Sequence, residues 1–249
     1  LRSQMSNEYT QERIDAAAII RFSRPEMRNP LSISVLEQLH VAVDRLASDD
    51  EVERLVFTGE NDVFASGADL REIADVTRDG AREFALRGQT LMSKIAAMPQ
   101  MTVAAVNGFC FGGALDLALA CRVRIAKPKA FFSHPGAGLG IITGWGGTQR
   151  LPRLIGEAAA LGMLFTGRRI DAAGALRIGL IDQIAAGGVD EHGRRLHLPQ
   201  LLRADQAAGS GIQRRVQADG VGPLQEFHQG AQLDPLSVRD RRSDPRVVR

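Results

Sequence analysis

The chain has 249 residues, of which 44% are apolar and 24% charged, and its formal net charge is +2 at pH 7. This length and composition predict one large soluble globular domain, or one domain with a smaller appendage, and the near-neutral charge argues against nucleic-acid binding, which needs a basic surface. The two cysteines, Cys110 and Cys121, form neither a disulfide framework nor a C-x-x-C metal motif, as is typical of proteins in a reducing cytoplasm.

The N-terminal residues and the hydropathy pattern predict a cytoplasmic location. No apolar run approaches the ~20 residues of a membrane span. Residues 1–7 are unpatterned and lack the charged and apolar regions of a signal peptide. We therefore expect no membrane contact.

The first part of the chain predicts a strand, a helix and a second strand. Residues 12–22 form a strand region that stops at Pro25, and Ser32 or Ser34 is expected to cap the following helix. The apolar residues of that helix recur at helical spacing, at Leu36, Leu39, Val43 and Leu46. Residues 54–58 form the next strand, so this order favours an α/β fold with a parallel sheet.

A first glycine turn lies in residues 64–73, where a strand leads through Gly67 into a helix start. Asp69 is well placed for the positive end of that helix. By itself, this segment is more simply explained as a helix capped by an aspartate. A longer helix is predicted over residues 81–97, because its apolar residues share one face and Pro99 follows.

A second glycine turn, in residues 107–120, is the centre of the functional hypothesis. It follows the apolar strand 102–106 and runs into an Ala/Leu-rich helix that starts near Gly113. The first N–H groups of a helix have no intrahelical partner and suit an anion or a polarised oxygen. Asp116 lies one turn later on the same face, so an N–H donor and an acid/base group would share a pocket. The alternative is a turn kept small for helix packing, with Asp116 favouring the helix dipole.

The later segments are less regular. Residues 131–150 are rich in glycine, which indicates backbone held close to a ligand or a neighbouring subunit, or else a flexible linker. Trp145 within it is expected to be a core or subunit-contact residue. Helices near residues 157–165 and 171–177 and a strand at 180–184 follow. From residue 187 the pattern degrades, and the residues do not by themselves predict a fold.

Three segments together resemble the enoyl-CoA hydratase/isomerase, or crotonase, superfamily. They are F-A-S-G-A-D-L-R-E at 64–72, A-V-N-G at 105–108 with Gly112, Gly113 and Asp116, and G-W-G-G-T-Q-R-L at 144–151. R-P-E-M-R-N-P-L at 24–31, T-G-R-R-I at 166–170 and G-L-I-D at 179–182 also match it. The resemblance implies a crotonase-like spiral of ββα units over residues 8–186 and a helical C-terminal region over 187–249. It also implies an acyl-CoA thioester substrate, no separate cofactor or metal, and assembly as a homotrimer or hexamer.

The same resemblance assigns catalytic residues and shows departures at both acid–base positions. The thioester oxygen is expected between the backbone N–H groups of Ala68 and Gly113. Family hydratases use two glutamates, and here Asp116 stands at the first position and Gly136 at the second. Hydration needs both an acid and a base, so either Asp116 acts alone, as in isomerases of the superfamily, or His134 substitutes for the missing group. Gly136 also leaves room for a bound anion, since the related dihydroxynaphthoyl-CoA synthases have glycine there.

The implied substrate-binding residues surround the two glycine turns. Arg28 and Arg71 are candidate partners for the CoA phosphates, because a guanidinium matches phosphate geometry; a solvated surface arginine is the simpler alternative for each. The others are Ser66, Gly67, Asp69, Leu70, Gly136 and Leu139.

Competing hypotheses follow from the departures. Other superfamily chemistry (decarboxylation, hydrolysis or synthesis) and a non-catalytic CoA-binding homologue both stay open. Dehalogenase-like and dienoyl-isomerase-like activities are disfavoured, because the aspartate that those members carry is Gly144 here. Residues from 187 on do not read like the family's C-terminal helices, so we expect a divergent tail or a shifted reading frame; an intact-protein mass distinguishes the two.

Overall fold

The computed structural model describes residues 4–5 and 8–185, with side chains from residue 8 onward. The predicted C-terminal region 187–249 lies outside the described residues. The strands are β1 (Gln4–Met5), β2 (Tyr9–Ile14), β3 (Ala17–Phe22), β4 (Pro30–Leu31), β5 (Arg54–Gly59), β6 (Val63–Ala65), β7 (Gly67–Ala68), β8 (Met101–Val106), β9 (Phe109–Phe111), β10 (Val123–Ala126), β11 (Phe131–Ser133), β12 (Ile170–Asp171) and β13 (Gln183–Ile184).

The helices are α1 (Ile33–Ala47), α2 (Leu70–Asp75), α3 (Ala81–Ala97), α4 (Gly113–Ala120), α5 (Gly147–Ile155), α6 (Glu157–Thr166) and α7 (Ala172–Arg177), with short 3-10 helices at Pro25–Met27 and Pro135–Leu139. In the described part of the chain, none of these helices has both the length and the apolar composition needed to cross a bilayer.

A seven-stranded sheet forms the centre of the described fold, in the order β1-β2-β3-β5-β8-β10-β13. The pairs β1/β2 and β2/β3 are antiparallel, and every later pair in this order is parallel. Helices connect the parallel strands, as parallel pairing requires. The predicted α/β class is therefore confirmed.

Short strands form a second, smaller sheet. β6, β9 and β11 each follow a strand of the large sheet and pair with one another in a four-stranded sheet of order β12-β11-β9-β6. Each of these strands precedes a helix, so the chain repeats a strand–strand–helix unit. This repetition is the ββα spiral that the family resemblance implies, and that prediction is confirmed.

The core forms where the sequence pattern places it. Leu36, Leu39, Val43 and Leu46 are all buried on α1. Ser32 caps this helix, because its hydroxyl accepts a hydrogen bond from the Val35 amide at 3.2 Å. Ser32 is thus the cap among the two predicted candidates.

Two predicted strands differ from the structure. Residues 12–22 do not form one strand region but parts of the hairpin β2/β3, because Asp15 takes a left-handed conformation (φ 51°) that turns the chain. The predicted strand at 180–184 is shortened to β13. Leu180, the first residue of the predicted strand, instead donates its amide hydrogen to the Ala175 carbonyl and so follows the end of α7.

Candidate functional site

The second glycine turn exposes the start of α4 to the site. Gly112 has φ 53°, ψ −125°, a conformation that glycine tolerates and other residues rarely adopt. No side chain caps the helix, and the Gly112 carbonyl accepts from the amides of Leu115 and Asp116. The Gly113 amide belongs to the first turn, whose N–H groups have no intrahelical acceptor. This end of α4 can therefore donate to a bound oxygen.

The first glycine turn lies directly against the second. Gly67 has φ +94°, and a Cβ atom placed on it would lie 2.8 Å from the Gly113 nitrogen and 2.7 Å from the Phe111 carbonyl oxygen. Such distances leave no space for a side chain, so the two backbones touch at this point. Ala68 follows Gly67 in β7, which pairs with β4. The structure thus brings the segments of Ala68 and Gly113 together, as predicted from the resemblance.

Asp116 lies in the first turn of α4 and is fully buried (0% exposed). The Thr143 hydroxyl donates to its Oδ2 atom, and the nearby Trp145 backbone amide acts to lower the pKa of this carboxyl group. Its Oδ1 atom has no hydrogen-bond partner among the described residues. One oxygen is anchored and the other is available.

His134 follows β11 and reaches the free oxygen of Asp116. Its Nε2 atom lies 3.5 Å from Oδ1, and neither ring nitrogen has a hydrogen-bond partner within the described ranges. Burial lowers the pKa of His134 to about 4. The imidazole is therefore neutral near pH 7, so this contact is not an ion pair there.

The acidity of Asp116 is set mainly by its burial. Removal from water raises the pKa of Asp116 to about 7, although the Thr143 and Trp145 hydrogen bonds and the charge of Arg150 act to lower it. A carboxyl group with such a pKa exists in both protonation states near neutral pH. This is the range in which a general acid or base is effective.

The loop before α5 and the first residue of that helix enclose the carboxyl group. A Cβ atom on Gly147 would lie 2.1 Å from Asp116 Oδ1 and 3.1 Å from His134 Cε1. The Trp145 indole packs on Gly113, where a Cβ atom would come within 2.3 Å of the ring. Trp145 is 3% exposed and belongs to the core, as one of its two predicted roles requires. Thr143 and Gly147 are site residues that the sequence interpretation missed, although Thr143 directly precedes the glycine-rich G-W-G-G-T run at 144–148 and Gly147 lies within it.

Gly136 leaves the second acid position without a side chain. It lies in the 3-10 helix Pro135–Leu139, and a Cβ atom there would come within 2.7 Å of the Ile141 carbonyl oxygen. Its own carbonyl accepts from the Ile141 amide at 3.0 Å. In the described part of the chain, no second carboxylate is among the groups that shift the pKa of Asp116. Leu139, at the end of the same 3-10 helix, is exposed.

The remaining predicted substrate-binding residues lie around the first glycine turn. Asp69 caps α2 by accepting from the Arg71 amide at 2.9 Å. The Arg71 guanidinium donates to both carboxylate oxygens, at 3.0 and 2.6 Å, and holds the pKa of Asp69 below its ordinary value. Arg71 and Leu70 are exposed, and Ser66 donates its amide to the Arg28 carbonyl at 2.9 Å.

Arg28 itself is exposed, and Arg71 already has a carboxylate partner. Their predicted contact with CoA phosphates stays a prediction. Among the described residues, no group of three or more histidine, cysteine, aspartate or glutamate side chains is placed to hold a metal ion.

Comparison with known proteins gives consistent results. The chain matches the family model described as enoyl-CoA hydratase/isomerase over residues 12–226. Crotonyl-CoA hydratase of Syntrophomonas wolfei is 41% identical over 174 residues, which are 70% of this chain and 67% of that protein. Short-chain-enoyl-CoA hydratase of Clostridium acetobutylicum is 35% identical over 179 residues, covering 72% and 69%.

Solved structures share the fold. DspI of Pseudomonas aeruginosa has a TM-score of 0.72 at 34% identity and covers 85% of each chain. Enoyl-CoA hydratase from Bacillus anthracis has a TM-score of 0.72 at 31% identity and covers 84% of this chain and 80% of its own.

Proposed function

The chain belongs to the enoyl-CoA hydratase/isomerase family, and we propose on this ground that it adds water to the double bond of a 2-enoyl-CoA thioester. Two relatives whose names specify hydratases support this reaction. The observation that carries the proposal is the fully buried Asp116 carboxyl group, with Oδ2 anchored and Oδ1 without a partner. CoA is part of the substrate, so no separate cofactor is required.

Two backbone amides, those of Ala68 and Gly113, stabilise the enolate in this mechanism. Attack of water at the β-carbon moves negative charge to the thioester oxygen. The close approach of Gly67 to the Gly113 nitrogen supports a shared position for that oxygen. One such donor is typically worth about 2.7–4 kcal/mol in the transition state.

Asp116 and His134 carry the proton transfers. Hydration requires a base for the water proton and an acid for the α-carbon. The His134 imidazole is neutral near pH 7, because burial lowers its pKa to about 4, and its unprotonated nitrogen can accept the water proton. Asp116, with a pKa of about 7, is the donor. His134 thus takes the role that the missing carboxylate at Gly136 would have.

Isomerisation of a 3-enoyl-CoA is a second candidate, favoured by the absence of a side chain at Gly136. In that reaction, a single ionised carboxylate removes a proton from one carbon and returns it to another. Asp116 would then act first as a base. The two reactions therefore require opposite protonation states of the same group in the free enzyme.

This difference provides the experiment. With 2-enoyl-CoA substrates, we expect kcat/KM to fall as the pH rises through about 7, where Asp116 ionises, and to fall again in acid near about 4, where His134 is protonated. Isomerisation of 3-enoyl-CoA would instead rise through about pH 7. Mass spectrometry of products formed in deuterium oxide identifies the reaction: deuterium uptake without net hydration supports isomerisation, and inactivity on both substrate classes contradicts the proposal.

The remaining parts of the site stay predictions. Exposed Arg28, Leu70, Arg71 and Leu139 are proposed to contact the substrate, together with Ser66, Gly67, Asp69 and Gly136. Assembly as a homotrimer or hexamer and a cytoplasmic location likewise stay predictions. Sedimentation of the purified protein tests the first.

A further inference from the structure

Thr143 lies between the 3-10 helix Pro135–Leu139 and α5, and its side chain is half-buried. Its hydroxyl donates to Asp116 Oδ2, while Asp116 Oδ1 faces His134 without a hydrogen-bond partner among the described residues. Gly147 packs against this arrangement, because a Cβ atom there would lie 2.9 Å from Thr143 Cγ2 and 2.1 Å from Oδ1. The two oxygens of the carboxyl group therefore have different surroundings: Oδ2 accepts a hydrogen bond from Thr143, whereas Oδ1 lies beside Gly147 and His134.

We propose that Thr143 is a positioning residue that orients Asp116 and reserves its Oδ1 atom for the transferred proton. This inference rests on the proposed role of Asp116 as the acid. An oxygen that already accepts a hydrogen bond from a hydroxyl is the acceptor oxygen of a carboxylic acid. The proton of Asp116 then lies on Oδ1, which has no hydrogen-bond partner among the described residues and faces His134 Nε2 at 3.5 Å.

The hydrogen bond from Thr143 can be measured through its effect on the pKa of Asp116. Three groups lower the pKa of Asp116: the Thr143 hydroxyl, the Trp145 amide and Arg150 of α5. His134 faces Oδ1. The charge of the Asp116 carboxylate in turn helps to raise the pKa of the Cys110 thiol in β9. The Thr143 hydrogen bond favours the ionised form and so opposes the effect of burial. Its removal is expected to raise the pKa of Asp116 further.

The experiment compares Thr143→Val, which keeps the shape but removes the hydroxyl, with Thr143→Ser, which keeps the hydroxyl. For Thr143→Val we expect kcat to fall about tenfold, because the acid is no longer held in place. The alkaline limb of the pH profile should move to higher pH by about one to two units, because this is the pKa change that corresponds to the loss of one hydrogen bond to a charged group. Thr143→Ser should restore the position of that limb.

A purely structural role would lower the rate without moving the limb, and this result would overturn the proposal. Carbon-13 NMR of aspartate-labelled, ligand-free protein measures the same shift without substrate; an unchanged Asp116 pKa in Thr143→Val would also overturn it. If the valine variant does not fold, Thr143→Ala is measured by the same two methods.

Asp116→Asn separates this proposal from the proposed function. If that variant is inactive while Thr143→Val keeps the original pH profile, only the role of Thr143 is overturned. If Asp116→Asn keeps full activity, the proposed mechanism itself is overturned.

Discussion

Two aspartates occupy similar places in the sequence but have opposite chemistry. Asp69 and Asp116 each follow a glycine turn and lie at the start of a helix, α2 and α4. Asp69 caps its helix and is paired with the Arg71 guanidinium, so its pKa is lowered. Asp116 is fully buried, and burial raises its pKa to about 7.

The comparison shows that a helix N-terminus does not decide the acidity of a nearby carboxyl group. The dipole favours a negative charge at both places. A guanidinium with two hydrogen bonds adds to that effect at Asp69, whereas loss of water outweighs it at Asp116. A stabilising acid and a reactive acid thus arise from the same local motif.

The largest expected effect is that of Asp116→Asn on catalysis. The amide keeps the shape but cannot transfer a proton, so kcat/KM should fall by roughly 10²–10⁴. Steady-state hydration of a short 2-enoyl-CoA measures this loss. Asp44→Asn, the same change at an exposed carboxylate of α1, is the control and should leave kcat/KM unchanged. Comparable rates for the two variants would contradict a catalytic role for Asp116.

The second largest expected effect is the pH dependence of stability that Asp116 causes. Its folded-state pKa is raised from 3.8 to about 7, so the stability contributed by the protonated form is fully present below about pH 3.8 and is lost as the pH rises through about 7. Relative to Asp116→Asn, the original protein should lose about 4 kcal/mol of unfolding free energy over this range. Urea denaturation at a series of pH values measures the difference. His134 is present in both proteins, so its own titration largely cancels.

Gly67→Ala tests the contact between the two turns. The added methyl group would clash with the Gly113 amide and the Phe111 carbonyl, and Gly67 has a positive φ. Displacing one oxyanion donor should lower kcat by about 10²–10³. Gly138→Ala is the matched control, because a Cβ atom there meets nothing within 4 Å. Circular dichroism checks that both variants fold; equal activity of the two would argue against the shared oxygen site.

The smallest expected effect is that of Asp69→Asn on stability, with a sign opposite to that of Asp116. The folded-state pKa of Asp69 lies below its ordinary value of 3.8, so its charge contributes stability above that value and the contribution is lost as the pH falls. Asparagine still caps a helix, and salt screens the exposed Arg71 partner. The difference between the two proteins should therefore be small, shrink in acid and shrink with added salt. A difference that grows in acid would contradict the ion pair.

The long periodic elements of the fold were predicted well, whereas the short ones were predicted only in part. Residues 81–97 match α3, and the apolar face of α1 is buried as expected. The strands β9 and β11, which were not predicted, have three residues each, too few to show a period. The hairpin turn at Asp15 was missed because its left-handed backbone conformation is usually signalled by a glycine, and this position holds an aspartate.

The candidate site was predicted in part. Asp116 and the two glycine turns follow from motifs, and the structure brings their segments together. Thr143 and Gly147 were missed, since their contacts with Asp116 join residues 27 or more positions apart. The ion pair of Arg71 with Asp69 was also missed, because the directions of the two side chains are set by the fold. The predicted contact of Arg71 with a CoA phosphate stays a prediction.

By itself, the sequence determined the α/β class, the family and the identities of the acid at residue 116 and of the glycine at 136. These are properties of local pattern and residue type. Only the tertiary structure decided that Asp116 is buried, that one of its oxygens is anchored by Thr143 while the other faces His134, and that its pKa rises to about 7. The physical reason is that desolvation depends on every element packed around a group, whereas a motif specifies only its neighbours along the chain.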